Sequence, residues 1–383
     1  SCLILMCGAV AAQNDGRYLD RALPEAWEPD TLFVQKLPVE DRWWKELGDV
    51  RLDSLISVAV ANNYDLLEAG DRIRQAHAVM RGEQAAYYPS VDFTAGWMRQ
   101  QSSRNSSQIV IPGISRITQY ASADLSANWE IDLFGSIRNR VRSEKELYRA
   151  TREDYNGVMV SLCAEVASAY AQLRTWQQQY LVAEQHIASQ QAILHITEVR
   201  YDTGLASQLD VSQAKSVYYS TKASLPALEA SIEQQINAIA VLLGVYPESL
   251  RPVLRVPAPI PDYLRIVSVG IPANLLRQRP DIRAAERTVA SYAASAGASR
   301  SDFLPKFYLK GSIGFAARDM DDFFNRKSLT YQIAPTLSWN LFQGMQRTQA
   351  LAGAKAKLDE SIRQYNQTVL TAVQEVDNAM TGY

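Results

Sequence analysis

Residues 121–150 read ASADLSANWEIDLFGSIRNRVRSEKELYRA, and the change of period within this stretch decides the fold. Apolar and polar residues alternate as far as Trp129, which is typical of a strand with one apolar and one polar face. The following residues 136–201 contain no proline and a single glycine, Gly157, so the sequence predicts one long helix there. At about 1.5 Å per residue this helix would be about 100 Å long.

The predicted long helix has an apolar seam along its length. The members of the seam recur at steps of three and four residues, which is the spacing of helices that pack in coiled-coil fashion. They are Tyr155, Val158, Leu162, Val166, Ala169, Leu173, Trp176, Tyr180, Ala183 and Ile187. A helix of this length does not fit within a compact domain. It is expected instead in a duct that bridges a wide compartment.

A turn and a second helix follow the long one. Gly204 ends the first helix, and a return helix is predicted over residues 207–243. Pro226 is expected to kink or interrupt that helix near Ser224. The proline-rich residues 244–271 are predicted to form an extended linker.

The same order of elements occurs twice. Tyr88-Pro89 in the first half corresponds to Leu304-Pro305 in the second, and Asp132-Leu133-Phe134 corresponds to Asn340-Leu341-Phe342. Four such anchors keep their order, so the chain contains an internal tandem repeat. The predicted segments are an extended N-terminal part (13–48), a first repeat (49–243, with a hairpin at 90–131) and a truncated second repeat (272–383, with a hairpin at 306–342 and the start of a long helix).

Each repeat contains one hairpin whose strands are apolar on one face and polar on the other. Strands of about ten residues with aromatic residues near their ends are typical of transmembrane β-barrels. On the strands alone, two amphipathic hairpins packed on an ordinary core are an equal alternative, and the long helices favour the barrel. The aromatic residues predicted at the membrane interfaces are Trp97, Trp129, Tyr308, Tyr331 and Trp339.

Four strands cannot close a barrel in lipid. An open edge would leave unpaired backbone groups that cost several kcal/mol each, by rough estimate. Several copies of the chain must therefore contribute strands. A barrel of about eight strands is filled by its own side chains, so a passage needs about twelve strands and hence three or more copies.

Composition and the N-terminus limit the class of protein further. The net charge of -2 gives no reason to expect a nucleic-acid partner. The longest apolar run, Leu3–Ala12, is too short for a membrane-spanning helix of about 20 residues. Residues 1–12 are interpreted as the remnant of a secretory signal peptide. Cleavage without a lipid and lipidation at Cys7 are about equally favoured.

No motif for catalysis or for cofactor binding is found. His186 and His195 are too far apart to share one face as a metal pair, and the chain has no phosphate-binding loop and no nucleophile elbow. The sequence therefore predicts no catalytic residue, no cofactor and no metal site, and the protein is not expected to be an enzyme.

The chain resembles the TolC-like outer-membrane factor family, and within it the NodT/OprM-type branch that serves RND efflux systems. The similarity spans nearly the whole sequence, and no single motif decides it. The motifs that carry it are Leu23-Pro24-Glu25-Ala26-Trp27, Trp43-Trp44, Trp129-Glu130-Ile131-Asp132-Leu133-Phe134-Gly135, Arg200-Tyr201-Asp202-Thr203-Gly204-Leu205-Ala206-Ser207, Leu209-Asp210-Val211, Leu225-Pro226-Ala227-Leu228-Glu229, Leu242-Leu243-Gly244 and Gly270-Ile271-Pro272-Ala273-Asn274-Leu275-Leu276-Arg277-Gln278-Arg279-Pro280-Asp281-Ile282-Arg283-Ala284-Ala285-Glu286.

The resemblance implies a mixed α/β membrane protein. Each subunit would give four strands to a twelve-stranded outer-membrane β-barrel of a homotrimer, continuous with a long periplasmic α-helical barrel. The trimer would be a passive exit duct in the outer membrane of a Gram-negative bacterium, surrounded by lipid and coupled through a periplasmic membrane-fusion adaptor to an inner-membrane RND-type pump. The residues expected at the periplasmic tip, for adaptor contact, are Arg200, Tyr201, Asp202, Thr203, Gly204, Leu205 and Asp210.

Three points stay open. The chain ends before the tip turn of the second repeat would be reached, so the gate residues of that half are not assigned. A periplasmic coiled-coil adaptor or scaffold without a pore is the alternative function, and the two alternating hairpins argue against it. For Asp202 and Asp210, capping of the turn is an equal alternative to adaptor contact.

Overall fold

The computed structural model describes residues 42–101, 103, 117–262 and 277–382. The predicted signal remnant with Cys7, residues 13–41, most of the loop between the first two strands and residues 263–276 lie outside the described residues. The chain forms two compact units. The sheet unit comprises the described parts of residues 74–150 and 284–370, and the helical unit comprises the described parts of residues 21–73, 151–283 and 371–383.

Helices and strands follow one another in the same order in the two halves of the chain. Each half has a helix, two antiparallel strands and a longer helix. The helices of the described residues are α1 (Val50–Asn62), α2 (Tyr64–Gln84), α3 (Ser136–Asp202), α4 (Gln208–Leu242), α5 (Pro247–Leu254), α6 (Pro280–Ser301) and α7 (Gln346–Gly382). The strands are β1 (Ser90–Gln101), β2 (Ile117–Ile131), β3 (Lys306–Ala317) and β4 (Leu329–Ser338).

The four strands form one antiparallel sheet in the order β1-β2-β3-β4. The two hairpins are joined because β2 pairs with β3, from Ala121 opposite Ala317 to Ile131 opposite Phe307. The last strand ends at Ser338, so residues 339–342 of the predicted second hairpin are not part of the strand. Within the described residues, β1 and β4 each have one neighbouring strand and are the edges of the sheet.

The core of the helical unit lies between α1, α3, α4 and α5. Asp49 begins α1 because its carboxylate accepts hydrogen bonds from the backbone N–H groups of Arg51 and Leu52. Apolar residues at helical spacing then bury one face of each helix. The residues that are at most 2% exposed in this core include Leu52, Ile56, Ala59, Leu66, Val166, Leu173, Ile236, Ile239, Leu243 and Leu254.

The apolar pattern of residues 52–86 predicts one helix before the first hairpin, and the structure divides this helix at Asn63 into α1 and α2. The Asn63 side chain accepts a hydrogen bond from the Leu66 N–H and donates one to the Leu242 carbonyl oxygen, at 2.9 Å each. A buried asparagine that caps α2 in this way favours a new helix start over a continuous helix. The sequence pattern of apolar residues runs through the break, which is why it did not predict the break.

The proline-rich linker is not extended throughout, and the helix that contains Pro226 is not interrupted. The linker predicted to be extended contains α5, which starts at Pro247, and a proline fits the first turn of a helix because its missing N–H has no partner there. Pro226 does not interrupt α4, which continues on both sides of it from Gln208 to Leu242.

Gly314 is required by the close approach of β2. A Cβ atom at this position would overlap the Ala123 carbonyl oxygen and the Asp124 side chain, whereas a Cβ at Gly96 would meet nothing within 4 Å. We expect Gly314→Ala to destabilise the sheet by about 1–3 kcal/mol, the usual range for overpacking. Thermal unfolding of the purified protein in detergent measures the effect.

Gly96→Ala is the matched control, because Gly96 and Gly314 lie on the same face of the sheet and only one of them is crowded. Its unfolding midpoint should stay close to that of the wild type. Equal midpoints for the two variants would contradict the register of β2 and β3.

Candidate channel-lining and tip surfaces

The register keeps the two faces of the sheet separate across all four strands. Phe93, Leu125, Ile313 and Tyr331 form one row of directly paired residues. The next row contains Thr94, Asp124, Gly314 and Thr330 and lies on the opposite face, because successive side chains in a strand point to opposite sides. The two repeats therefore contribute to one apolar face and one polar face.

The apolar face is exposed in the single chain. Phe93 is 71% exposed, Ile333 is 75% exposed and Tyr331 is 78% exposed. Large apolar residues in adjacent rows make a contiguous patch of a kind that water-soluble monomers avoid. This face is built for contact with an apolar environment.

The polar face carries charges of both signs. The residues that bring charge to it are Asp92, Asp124, Glu130, Lys306 and Lys310. At the end of the sheet that is next to the helices, the Lys306 ammonium lies 3.5 Å from a Glu130 carboxylate oxygen and 3.4 Å from one of Asp302. Further along, a concave site of about 420 Å³ is lined by Lys310, Gln332, Thr336 and neighbouring small residues. This face is suited to contact with water.

The predicted interface aromatics occupy three different positions. Trp97 and Tyr331 lie on the apolar face in the halves of β1 and β4 that are nearer the interstrand loops, and Trp129 lies on that face near the helices. Tyr308 differs, since it is paired with Glu130 and Thr336 on the polar face. The neighbouring residues Phe307 and Leu309 lie on the apolar face, so the register places Tyr308 on the opposite face from Trp97, Trp129 and Tyr331.

Trp129 and Trp339 both lie at the helix-side end of the second strand of a hairpin, and both have their indole N–H bound to a backbone carbonyl. Trp129 Nε1 donates to the carbonyl oxygen of Tyr87 at 2.9 Å, and Trp339 Nε1 donates to that of Phe303 at 3.1 Å. Each acceptor lies just beyond the helix that precedes the hairpin. These bonds connect the end of the second strand of each hairpin to the segment that leads into its first strand.

The turn between α3 and α4 is tightly hydrogen-bonded. Gly204 adopts a φ of 74°, and the Leu205 N–H donates to the Arg200 carbonyl oxygen at 2.7 Å. This is the pattern of a helix that ends at a glycine in the left-handed region. Leu205 is 70% exposed and Leu209 is 65% exposed, so the turn presents apolar side chains outward. Leu209 belongs to a motif of the family resemblance but was not among the residues expected at the tip.

Asp210 caps α4. Its carboxylate accepts hydrogen bonds from the backbone N–H and the hydroxyl of Ser207, at 2.8 Å each, while Ser207 Oγ accepts from the Asp210 N–H. The bond from the Ser207 backbone N–H, together with the one from its hydroxyl, lowers the pKa of Asp210. The arrangement is a capping box, and it accounts for an aspartate at this position without any partner protein.

A buried arginine fixes the linker to α3, and no sequence motif indicated it. Arg174 is fully buried, and Nη1 donates to Gln177 Oε1 at 2.6 Å and to the Val256 carbonyl oxygen at 2.9 Å. Nη2 donates to the Tyr170 hydroxyl, which donates in turn to Asp49. Burial, reinforced by the bond to Asp49, raises the pKa of Tyr170. The guanidinium thus connects the start of α1, α3 and the segment between the repeats.

The described residues contain no group of three or more histidines, cysteines or acidic residues placed to hold a metal ion. In the part of the chain that the structure describes, none of the helices combines the length and the apolar character needed to span a membrane. Cys163 is a free, buried cysteine, and burial raises its pKa, which favours the unreactive thiol.

The sequence profile of the outer membrane efflux protein family matches residues 55–245 and 271–383. The chain is 30% identical to the pyoverdine export outer membrane protein OpmQ of Pseudomonas putida, over 94% of this chain and 76% of that protein. It is 30% identical to the solvent efflux pump outer membrane protein SrpC of Pseudomonas putida, over 98% of this chain and 75% of that protein.

Solved structures agree with the sequence relatives. The outer-membrane channel OprN superposes with a TM-score of 0.87 and 32% identity, over 97% of this chain and 82% of that chain. The outer membrane protein VceC of Vibrio cholerae superposes with a TM-score of 0.79 and 25% identity, over 89% of this chain and 81% of that chain.

The chain belongs to the outer membrane efflux protein family. It is an outer-membrane channel subunit of an efflux system and extends into the periplasm, as the sequence predicted. The fold prediction, a sheet continuous with long helices as in the TolC-like channels, is confirmed. The family consists of transport proteins, and a scaffold without a pore is not favoured.

Charge reversal separates the two roles considered for the tip aspartates. Asp210→Lys removes the acceptor of two hydrogen bonds and should loosen the first turn of α4, because a lost cap destabilises a helix start. Amide hydrogen exchange of residues 207–211 should speed up roughly fivefold, as a cap of about 1 kcal/mol implies. Asp202→Lys should leave this exchange unchanged.

Export assays give the second readout. If Asp202 contacts an adaptor, then Asp202→Lys should lower export in cells at an unchanged amount of protein in the membrane. Normal export by Asp202→Lys would show that Asp202 is not needed for adaptor contact and has only a structural role in the turn. Unchanged exchange in Asp210→Lys would contradict the capping role of Asp210.

Proposed function

We propose that three copies of this chain form a passive exit duct with a twelve-stranded barrel. The observation that carries the proposal is the continuous register of the sheet, in which both repeats place their apolar residues on one face and their polar residues on the other. In the duct, the apolar face meets lipid and the polar face lines the water-filled passage. Trp97, Trp129 and Tyr331 lie on the lipid side near the membrane interfaces.

The number of copies follows from the strands. One chain supplies four strands with two free edges among the described residues, and a closed barrel removes such edges. Twelve strands are the smallest multiple of four that leaves room for a passage, because about eight strands enclose only their own side chains. A homotrimer therefore satisfies both requirements.

The tip of the α3–α4 hairpin is proposed as the contact with a periplasmic membrane-fusion adaptor, which connects the duct to an inner-membrane RND-type pump. Arg200, Tyr201, Asp202 and Leu205 surround the turn, and the exposed Leu205 and Leu209 offer an apolar contact. An interface of this kind buries apolar residues at its centre and leaves charged residues at its rim.

The cargo is proposed to be small molecules of more than one chemical class. The relatives of this chain are named for the export of pyoverdine, antibiotics and solvents, although their identity to this chain lies within a narrow range of 29–30%. A duct wall that serves such different compounds does not select them. We propose that selection takes place in the pump and that this subunit performs no reaction.

Two neighbouring residues of β4 test which face meets lipid. Ile333→Lys places a charge on the apolar face and should reduce the amount of assembled trimer in the membrane, because a lysine near the midplane costs about 2–4 kcal/mol. Gln332→Lys makes the same addition on the polar face. It should assemble normally and shift the ion selectivity of the channel toward anions, as measured by single-channel recording.

Native mass spectrometry of each variant in detergent reports assembly independently of conduction. A wild-type protein that is monomeric and stays in solution without detergent would contradict the duct. Normal assembly of Ile333→Lys with failure of Gln332→Lys would show that the two faces are assigned the wrong way round.

A further inference from the structure

The loop between β3 and β4, residues 318–328, has a defined fold. It contains two short 3-10 turns, Met320–Asp322 and Arg326–Ser328. The hydroxyl of Ser328 donates to the Asp322 carbonyl oxygen at 2.8 Å, and the Ser328 N–H donates to the Asn325 carbonyl oxygen at 2.9 Å. These bonds give the backbone of the loop a defined path.

Three phenylalanines extend the apolar face beyond the end of the strands. Phe315 belongs to the apolar face of β3, where it is paired with Leu329 and Ala123. The ring of Phe323 lies 6.3 Å from that of Phe315 and is 8% exposed, so it anchors the loop. The Phe324 ring packs edge to face against both rings, with centroid distances of 5.0 Å to Phe323 and 6.1 Å to Phe315, but Phe324 is itself 83% exposed.

Phe324 is exposed to solvent in the single chain but is held in place by the buried Phe323. This arrangement favours contact of the Phe324 ring with an apolar environment outside the protein. Met320 in the same loop is 65% exposed as well. Because these residues continue the face that meets lipid, the adjoining phase is the membrane rather than water. The helices that precede and follow each hairpin join the sheet at the end opposite to this loop. Because these helices extend into the periplasm, the loop lies at the outer surface of the membrane.

Basic residues follow the exposed ring directly. Within the described part of the chain, the side chains of Arg326 and Lys327 take part in no ion pair with an acidic residue. Asp319, Asp321 and Asp322 precede them, so the loop as a whole has no excess of positive charge. Electrostatic attraction alone would not hold it to an anionic surface, and insertion of the apolar residues is needed to bring the two basic side chains to the headgroups.

We propose that the loop 318–328 docks onto the outer leaflet of the membrane. Phe324 and Met320 insert at the boundary of the acyl chains, and Arg326 and Lys327 bind the phosphate groups of anionic lipid headgroups. A guanidinium binds phosphate through paired hydrogen bonds and an ammonium binds it as a point charge. This inference rests on the proposed contact of the apolar face with lipid and adds a headgroup site to it.

The test uses the full-length protein in nanodiscs of phosphatidylcholine, alone or mixed with phosphatidylglycerol as the anionic lipid. Native mass spectrometry of the released protein counts the phosphatidylglycerol molecules that stay bound. The double variant R326Q/K327Q should bind phosphatidylglycerol about 25-fold more weakly than the wild type, since each basic residue near an anionic surface contributes about fivefold. Retention of phosphatidylcholine should not change.

K355Q/R363Q is the matched control, because it removes the same charges from exposed positions of α7. It should bind phosphatidylglycerol as the wild type does. Phe324→Ser should lower the retention of both lipids, whereas Phe324→Leu should retain them as the wild type does. Recovery with leucine would show that the apolar contact, and not the folding of the loop, is what the serine variant loses.

Three results would overturn the proposal. The first is wild-type binding of phosphatidylglycerol by R326Q/K327Q, and the second is equal loss in the control variant. The third is dissociation of the trimer by Phe324→Ser in phosphatidylcholine alone, which would assign the ring to a contact between copies. A wild-type protein that fails to enter the nanodisc would instead contradict the proposed duct and not the loop.

Discussion

The backbone along the two edges of the sheet is the constraint on which the rest of the structure depends. Among the described strands, β1 and β4 each pair on one side, and nearly all of their residues are exposed. Water can satisfy the free N–H and carbonyl groups of such an edge, but a lipid bilayer cannot. In the proposed duct the exposed apolar face meets lipid, so the edges must pair with strands of other copies. Oligomerisation is therefore a condition for insertion in the membrane.

The tandem repeat meets this condition because its two hairpins join without a break in register. The pairing of β2 with β3 keeps Leu125 opposite Ile313 and Asp124 opposite Gly314, so the apolar and polar faces continue from one repeat to the next. Gly314 allows the close approach that this register demands. In the helical unit, Arg174 and Asn63 tie the start of α1, the break before α2 and the linker to the long helices. The two repeats are thus joined through the sheet, and the hydrogen bonds of the helical unit join the first repeat to the linker.

Much of this architecture could be predicted from the sequence, because periodicity reports directly which face of an element is buried. The alternation in residues 121–129 and the uninterrupted run after Ser136 are examples, and the strands and α3 are found there. Features that depend on a single polar contact could not be predicted. Asn63 separates α1 from α2 through a local hydrogen bond from Leu66 and one to Leu242, which is distant in sequence, and Arg174 gives no periodic signal. Tyr308 was assigned by residue type, and its position in the strand placed it on the other face.

Cysteine cross-linking between the edges of neighbouring copies tests the central claim most directly. One cysteine replaces Thr94 in β1, and a second replaces Gln332, Ala334 or Thr336 in β4, all on the polar face. Edge pairing predicts that at least one of the three double variants gives a covalent trimer on a denaturing, non-reducing gel, and that each single variant gives none. Monomer bands in all three double variants, with the protein assembled in the membrane, would contradict the pairing of β1 with β4 between copies.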